Sequence, residues 1–186
     1  MVQRTFSLIA QASLEADVTV AACSSQQAGI EAQIEGSFSL VLEPERRDTA
    51  PAIMLACAHL AFVQGADPAD TVVVLPIDPY TEQAYYDKIG DLDAGVPARI
   101  GDFVLMGVEP AYPSEKYGYI VPESRNGGAW RVARFKEKPR EAEAKELLAE
   151  GALWNCGVFA FRLEYLLGVM RDYVDAHCFE DVFVGY

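Results

Sequence analysis

Apolar residues recur along the chain in two patterns, one at helical spacing and one in short uninterrupted runs. The helical spacing opens the chain over residues 3–15, and a β-branched run at residues 17–23 then predicts a buried strand. This alternation continues to residue 173. Further helices are predicted over residues 26–34, 49–63, 81–93, 140–150 and 163–173, and further strands over 38–42, 71–77, 103–108, 117–121, 130–135 and 158–161.

Strands that alternate with helices predict an α/β fold. The run at residues 71–77 is apolar on both faces, so we expect a central strand with helices on both sides, in a three-layer sandwich whose mixed sheet is mainly parallel. The helix at residues 81–93 is polar and is expected at the surface. Because the chain shows no repeat, linker or low-complexity tract, residues 1–186 are predicted to form a single domain, with ligands beyond the carboxyl ends of the strands.

The charge balance restricts the ligands that this chain can attract. Lysine and arginine total 15 against 28 aspartate and glutamate residues, a net charge of −13. Such a surface repels polyanions, so the chain is not expected to bind nucleic acid. A phosphate ligand would need local basic residues or a metal ion.

The apolar runs and the cysteines indicate the compartment. No run approaches the ~20 residues of a membrane span, and no signal segment opens the chain, so we expect no membrane partner and a cytoplasmic location. The four cysteines form no close pair, which favours reduced thiols over a zinc or redox site.

Asp78 follows the apolar run at residues 71–77, so its carboxylate is expected at the carboxyl edge of the sheet. A magnesium ion that bridges phosphates is commonly bound in such a position. An aspartate that ends a strand and caps the next turn has the same sequence pattern. Both interpretations stay open on the residues alone.

Two other strand ends carry polar groups suited to a ligand. Glu137 and Lys138 precede Pro139, and one of the two side chains could enter a cleft while the other supports it, although a solvated ion pair is the alternative. Asn155 is followed closely by Gly157, which permits a close backbone approach, and the pair suits sugar hydroxyls. A turn asparagine before a strand would look the same.

Two loop segments are further candidates. Residues 43–52 (EPERRDTAPA) combine two arginines with a predicted helix start, where an anion is favoured, although a plain helix cap is also compatible. Residues 113–120 (PSEKYGYI) place aromatic rings around Gly118. This arrangement suits a ligand that lies against the backbone, or a simple turn into a strand.

In their order and spacing these segments resemble the mannose-1-phosphate guanylyltransferase family of sugar nucleotidyltransferases, which have a glycosyltransferase-A, Rossmann-like fold. The family motif E-P-x-x-R-N-T-A-P-A resembles residues 43–52, L-P-x-D resembles residues 75–78, and T-G-Y-G-Y-I resembles residues 115–120. F-x-E-K-P matches residues 135–139, and L-W-N-S-G-x-F matches residues 153–159 with one change. Five ordered motifs make a chance match improbable.

The resemblance implies transfer of a nucleotidyl group from GTP to mannose-1-phosphate, which yields GDP-mannose and pyrophosphate. It implies that Asp78 binds Mg²⁺ and that Asp78 and Lys138 are catalytic. The residues implied for nucleotide binding are Glu43, Arg47, Asp48, Thr49, Ala50 and Pro76. The residues implied for sugar-phosphate binding are Tyr117, Gly118, Tyr119, Glu137, Lys138 and Asn155.

The sequence also departs from the family pattern. The family's glycine-rich loop, G-G-x-G-x-R-x-x-P-L followed by P-K, has no counterpart in residues 1–186, and Glu115-Lys116 stands where the family has Thr-Gly. We therefore expect a nucleotidyltransferase fold truncated at both ends, no turnover by this chain alone, and a homodimer that pairs exposed strand edges. The alternatives are another hexose-1-phosphate with UTP, dTTP or CTP, or a domain that binds a sugar nucleotide or a partner without catalysis.

Overall fold

The computed structural model describes residues 2–12, 14, 16–96, 101–124, 128–175 and 177–185. In chain order its elements are α1 (Val2–Gln11), β1 (Thr19–Cys23), α2 (Gln27–Glu31), β2 (Ser39–Glu43), α3 (Thr49–His59), β3 (Thr71–Val74), α4 (Gln83–Asp87), α5 (Ile89–Gly95), β4 (Phe103–Val108), β5 (Tyr119–Pro122), β6 (Val132–Lys136), α6 (Glu141–Ala149), β7 (Leu153–Arg162), α7 (Leu163–Met170) and α8 (Phe179–Gly185). The order of the predicted elements is confirmed, and α8 was not predicted. The predicted turn at residues 126–128 falls largely outside the described residues.

The strands form two sheets. β1 and β2 pair in parallel, from Thr19 opposite Ser39 to Cys23 opposite Glu43. The second sheet has five strands, in which the long strand β7 pairs antiparallel with β3, β4 and β5, and β5 pairs antiparallel with β6. The predicted α/β class with a mixed sheet is confirmed.

The mainly parallel arrangement is only partly seen. β3 and β4 run in the same direction because both are antiparallel to β7, but β1–β2 is the parallel hydrogen-bonded pair among the described strands. β3, predicted as central, pairs with β7 alone within the described part of the chain. An apolar run reports burial and not strand direction, so the sequence pattern could not distinguish these arrangements.

Helices cover both faces of the five-stranded sheet, which gives the predicted three layers. On one face, Cys57 of α3 packs with Phe161 of β7 and Val72 of β3. On the other, Leu92 of α5 packs with Val158 and Ala160. Neighbouring residues of a strand point to opposite faces. Phe161 therefore packs against the helical layer of α3, and Ala160 packs against the layer of α5.

Helix α3 also joins the two sheets. Its buried Leu55 and Ala58 pack with Val41 of β2, while Cys57 faces the larger sheet. The helix continues as one π-helical segment, Leu60–Gln64, and ends at Gly65 in the left-handed conformation, as predicted. The N-terminal end of α3 is therefore held in place by a body that packs against both sheets.

The predicted polar helix at residues 81–93 needs correction. It is two short helices, α4 and α5, and its residues Tyr86, Ile89 and Leu92 are buried. These residues follow one another at three-residue spacing, which places them on one face against α1 and the sheet. None of the described helices has both the length and the apolar character needed to cross a membrane.

Candidate active site

The ends of three strands bring three of the predicted sugar-phosphate residues together. Tyr119 of β5 lies opposite both Lys136 of β6 and Trp154 of β7. The residue before Tyr119 is Gly118, whose carbonyl accepts a hydrogen bond of 2.8 Å from the Asn155 backbone N–H. Glu137, one residue after Lys136, therefore lies beside Gly118.

Gly118 is required by this packing. A Cβ at this position would lie 2.6 Å from Glu137 Oε2 and 2.6 Å from Phe135 Cζ, well inside van der Waals contact. The Glu137 carboxylate and the half-exposed Phe135 ring thus occupy the space that a side chain would take. Phe135 was not among the predicted site residues, although it opens the F-x-E-K-P motif.

Asn155 connects these residues to the segment that contains Asp78. Its side-chain Oδ1 accepts a hydrogen bond of 3.1 Å from the Gly157 N–H. Gly157 has a positive φ of 75°, and a Cβ there would lie 3.6 Å from Cγ of Pro76. Pro76 precedes Asp78 by two residues, so the start of β7 lies against the chain that follows β3.

Asp78 lies in an exposed bend beyond β3, at the carboxyl edge of that strand. Burial raises the pKa of the neighbouring Tyr85 hydroxyl, with smaller contributions from Cys156 and from the Asp78 carboxylate. The described residues contain no cluster of three or more His, Cys, Asp or Glu residues that could bind a metal ion. A single exposed carboxylate fits Mg²⁺ that takes its remaining ligands from phosphates and water, as Mg²⁺ commonly does.

Lys138 has an unusual backbone conformation. Its φ is +41°, the one positive φ of a non-glycine residue in the described part of the chain. The buried Pro139 and helix α6 follow at once and fix this conformation, which costs about 1 kcal/mol or more for a side chain with a Cβ. Lys138 Nζ lies 3.4 Å from Glu137 Oε1, and both side chains are more than half exposed. Such an exposed pair adds little stability, so both groups can turn to a ligand at small cost.

Five of the predicted nucleotide residues lie elsewhere, at the end of β2 and the start of α3. Glu43 ends β2, and Asp48 occupies the N-cap position of α3 without a side-chain capping hydrogen bond. Arg47, Thr49 and Ala50 are exposed. The sixth predicted nucleotide residue, Pro76, instead lies against Gly157, next to the predicted sugar-phosphate residue Asn155.

An aromatic group lies beside Gly118 and combines the predicted Tyr117 with Tyr112 and Trp154, which were not among the predicted site residues. The Trp154 ring lies 4.8 Å from that of Tyr117 and 5.1 Å from that of Tyr112, measured between centroids. Tyr119, predicted to bind the sugar phosphate, is fully buried, and its hydroxyl bonds the backbone of Ser114. Its side chain therefore attaches residues 114–118, called the Gly118 segment below, to strand β5.

Known proteins resemble this chain over most of its length. The alginate biosynthesis protein AlgA of Pseudomonas aeruginosa is 35% identical over 155 residues, which are 79% of this chain and 31% of AlgA. Mannose-1-phosphate guanylyltransferase ManC of Salmonella typhimurium is 35% identical over 144 residues, 73% of this chain and 29% of ManC. The chain thus spans less than a third of the length of these curated relatives.

The fold resembles that of a solved structure as well. A Thermus thermophilus crystal structure, described as a mannose-1-phosphate geranyltransferase, matches with a TM-score of 0.75 and 32% identity, over 90% of this chain and 52% of that one. The resemblance to the mannose-1-phosphate guanylyltransferases is confirmed. Since the model of the family described as "Nucleotidyl transferase" matches residues 1–176, this chain belongs to the nucleotidyl transferase family.

Proposed function

We propose that this chain is part of an enzyme that forms GDP-mannose and pyrophosphate from GTP and mannose-1-phosphate. The observation that carries the proposal is the contact of Gly118, Glu137 and Asn155 at one end of the sheet, next to the segment of Pro76 and Asp78. The name of the 35%-identical ManC supports the choice of sugar and nucleotide.

The sugar phosphate would lie beside Gly118, where the absent side chain lets Glu137 and Phe135 approach the backbone closely. Glu137 would accept hydrogen bonds from sugar hydroxyls, and the Asn155 amide would donate to them. Lys138 would place its ammonium group beside the phosphate, since its exposed side chain is restrained only by the 3.4 Å contact with Glu137 that the structure records.

The nucleotide would lie toward the start of α3. The first backbone N–H groups of a helix have no partner within the helix and favour a negative charge. Thr49, Ala50 and the N-cap residue Asp48 would meet the nucleotide there, with Glu43 and Arg47 on the approach to the helix and Pro76 at the facing strand end.

In the reaction, an oxygen of the sugar phosphate attacks the α-phosphorus of GTP in line. A new P–O bond forms, the bond from the α-phosphorus to the bridging oxygen breaks, and pyrophosphate leaves with that electron pair. Lys138 would offset negative charge that builds up on the phosphate oxygens. Asp78 would hold Mg²⁺, which when bound screens the same charge.

Turnover and specificity are tested together in a version of the chain extended by the family's glycine-rich loop, by measuring pyrophosphate release and nucleotide-sugar formation with GTP, UTP, dTTP and CTP, each with mannose-1-phosphate and glucose-1-phosphate. The proposal predicts that GTP and mannose-1-phosphate are used best. A preference for another pair would assign a different sugar nucleotide to the same site. Binding of GDP-mannose without release of pyrophosphate would favour a non-catalytic domain.

We also propose a homodimer in the cytoplasm. Within the described residues β1 pairs with β2 alone and β3 pairs with β7 alone. The second edge of each of these strands pairs with no described strand, and such an edge favours pairing with another chain. All four cysteines are free, as expected in a reducing compartment. A monomer in light scattering across a wide range of concentrations would contradict the dimer.

A further inference from the structure

The segment that leads to Gly118 is attached to the sheet at Ser114. This residue is 5% exposed, its backbone N–H donates to the Tyr119 hydroxyl at 2.8 Å, and that hydroxyl donates to the Ser114 carbonyl at 3.0 Å. The Ser114 hydroxyl accepts a further hydrogen bond of 3.2 Å from the Lys116 N–H. One end of the segment is therefore fixed by buried hydrogen bonds.

A second attachment comes from Glu115. Its Oε1 accepts a hydrogen bond of 2.9 Å from the backbone N–H of Glu141, the first residue of α6. A carboxylate at this position satisfies an N–H group that has no partner within the helix, and it lies at the positive end of the helix dipole. The contact joins residues 26 positions apart.

The surroundings of this contact show why it matters. A cavity of about 300 Å³ lies between the segment and the start of α6, and the residues that line it are Tyr112, Pro113, Ser114, Glu115, Lys116 and Glu141. The segment and the helix are thus not packed tightly against each other here. The Glu141 carboxylate lies 2.6 Å from Lys145 Nζ, one turn along the helix, whereas the Glu115 side chain crosses this space to the Glu141 backbone N–H.

We infer that Glu115 is a positioning residue for the sugar-phosphate site. It connects the segment that carries Tyr117 and Gly118 to the helix that directly follows Glu137 and Lys138. The carboxylate thereby sets the distance between the two walls against which the sugar phosphate would lie. This inference rests on the proposed function for the identity of the ligand, but the connection itself does not.

Glu115→Ala and Glu115→Gln test the inference in the full 186-residue chain. Alanine removes the acceptor, whereas the glutamine amide oxygen can still accept the Glu141 N–H bond. Glu146→Ala is the matched control, because Glu146 is an exposed glutamate on α6 itself. The measurements are calorimetric affinities for mannose-1-phosphate and for GTP with Mg²⁺, and amide hydrogen exchange at residues 115–118 and at Glu141.

Glu115→Ala is expected to bind mannose-1-phosphate about tenfold more weakly, as expected for loss of a charge-assisted hydrogen bond that positions the site. GTP affinity should stay unchanged, the Glu141 amide should exchange faster, and Glu115→Gln should restore most of the affinity. Unchanged mannose-1-phosphate affinity, or an equal loss for both ligands with a lower melting temperature, overturns the inference.

A wild-type chain that binds no mannose-1-phosphate would count against the proposed function instead. The exchange measurement then decides the positioning role alone. Faster exchange at residues 115–118 and at Glu141 in Glu115→Ala, but not in Glu146→Ala, supports the bridge, and unchanged exchange overturns it.

Discussion

The sugar-phosphate residues lie on paired strands or within two residues of their ends, whereas most of the nucleotide residues lie at an exposed helix start. In the first region, Gly118 bonds the backbone of Asn155 and contacts Glu137. In the second region, Arg47, Asp48 and Thr49 are exposed, and the N-cap side chain makes no capping bond.

The two regions differ in what fixes the distances between their residues. Sheet register holds the first region in place before any ligand arrives, which lowers the cost of ordering it on binding. The second region keeps its helix start exposed on a well-packed helix body. Substitutions in the first region should therefore change stability and binding together, and substitutions in the second should change binding alone.

Gly118→Ala should have the largest effect. The added Cβ would displace Glu137 and Phe135, so we expect a loss of about 1–3 kcal/mol in the free energy of unfolding and at least about a tenfold loss in mannose-1-phosphate affinity. Denaturant unfolding and calorimetry measure the two. Gly90→Ala is the control, because a Cβ there meets no heavy atom within 4 Å. Equal behaviour of the two variants would contradict the packing described for Gly118.

Tyr119→Phe should cost about 2 kcal/mol of unfolding free energy, because it leaves the N–H and C=O groups of buried Ser114 without the hydroxyl. Tyr173→Phe removes a hydroxyl from a residue that is 75% exposed and should change stability by less than about 0.5 kcal/mol. Urea unfolding measures both. Similar values for the two variants would show that the Tyr119 hydroxyl does not stabilise the Gly118 segment.

Cys57 tests whether the body of α3 belongs to the packed core. Burial raises the pKa of its thiol to about 12, from a usual value of 9.0. Below pH 9 both the folded and the unfolded chain keep the proton. Above pH 9 the unfolded chain releases it while the folded chain keeps it, so stability falls as pH rises toward 12. Stability should fall by up to about 1.4 kcal/mol per pH unit more in the wild type than in Cys57→Ala between pH 9 and 11. Equal slopes for the two chains would contradict burial of the thiol.

Two substitutions of Lys138 separate the effect of backbone strain on stability from the effect of charge on binding. Lys138→Gly should gain about 1 kcal/mol of stability over Lys138→Ala, because glycine adopts a positive φ without a steric cost. Both variants lack the ammonium group and should lose mannose-1-phosphate affinity to the same degree. Thermal unfolding and calorimetry provide the two readings, and equal stability of the variants would argue against strain at this residue.

Arg47→Ala should have the smallest effect on stability, within about 0.5 kcal/mol, because the residue is exposed and its contact with Glu45 at 3.4 Å is a surface pair. GTP affinity should still fall about tenfold through loss of a charged contact. Arg171→Ala, just past the end of α7, is the control. A large loss of stability in Arg47→Ala would remove the distinction between the two regions.

The sequence was most informative where the apolar periodicity agrees with the residues that end helices and strands. The helix that ends at Gly65 and the strand at residues 103–108 are found as predicted. Strand direction was not predictable, because the apolar run of β3 looks the same in a parallel and in an antiparallel sheet. The prediction of a surface helix at residues 81–93 was wrong because polar residues outnumber the buried apolar residues in this stretch.

The site was predictable as segments but not as contacts. The motifs identified Gly118, Glu137 and Asn155 separately, and the register of β5, β6 and β7 brings them together. The bond from Glu115 to the start of α6 joins residues far apart in sequence, and neither has a local pattern that indicates the other. Long-range hydrogen bonds of this kind follow from the fold and not from spacing.

Calorimetric binding of GDP-mannose with Mg²⁺ tests the central claim most directly, with the wild-type chain compared to the Asp78→Ala, Lys138→Ala double variant. We predict binding by the wild type and a loss of at least about a hundredfold in the variant, because the ammonium contact to the phosphates and the carboxylate proposed to hold Mg²⁺ are both removed. Equal affinities for the two chains would contradict the location of the site, and no binding by the wild type would contradict the proposed function.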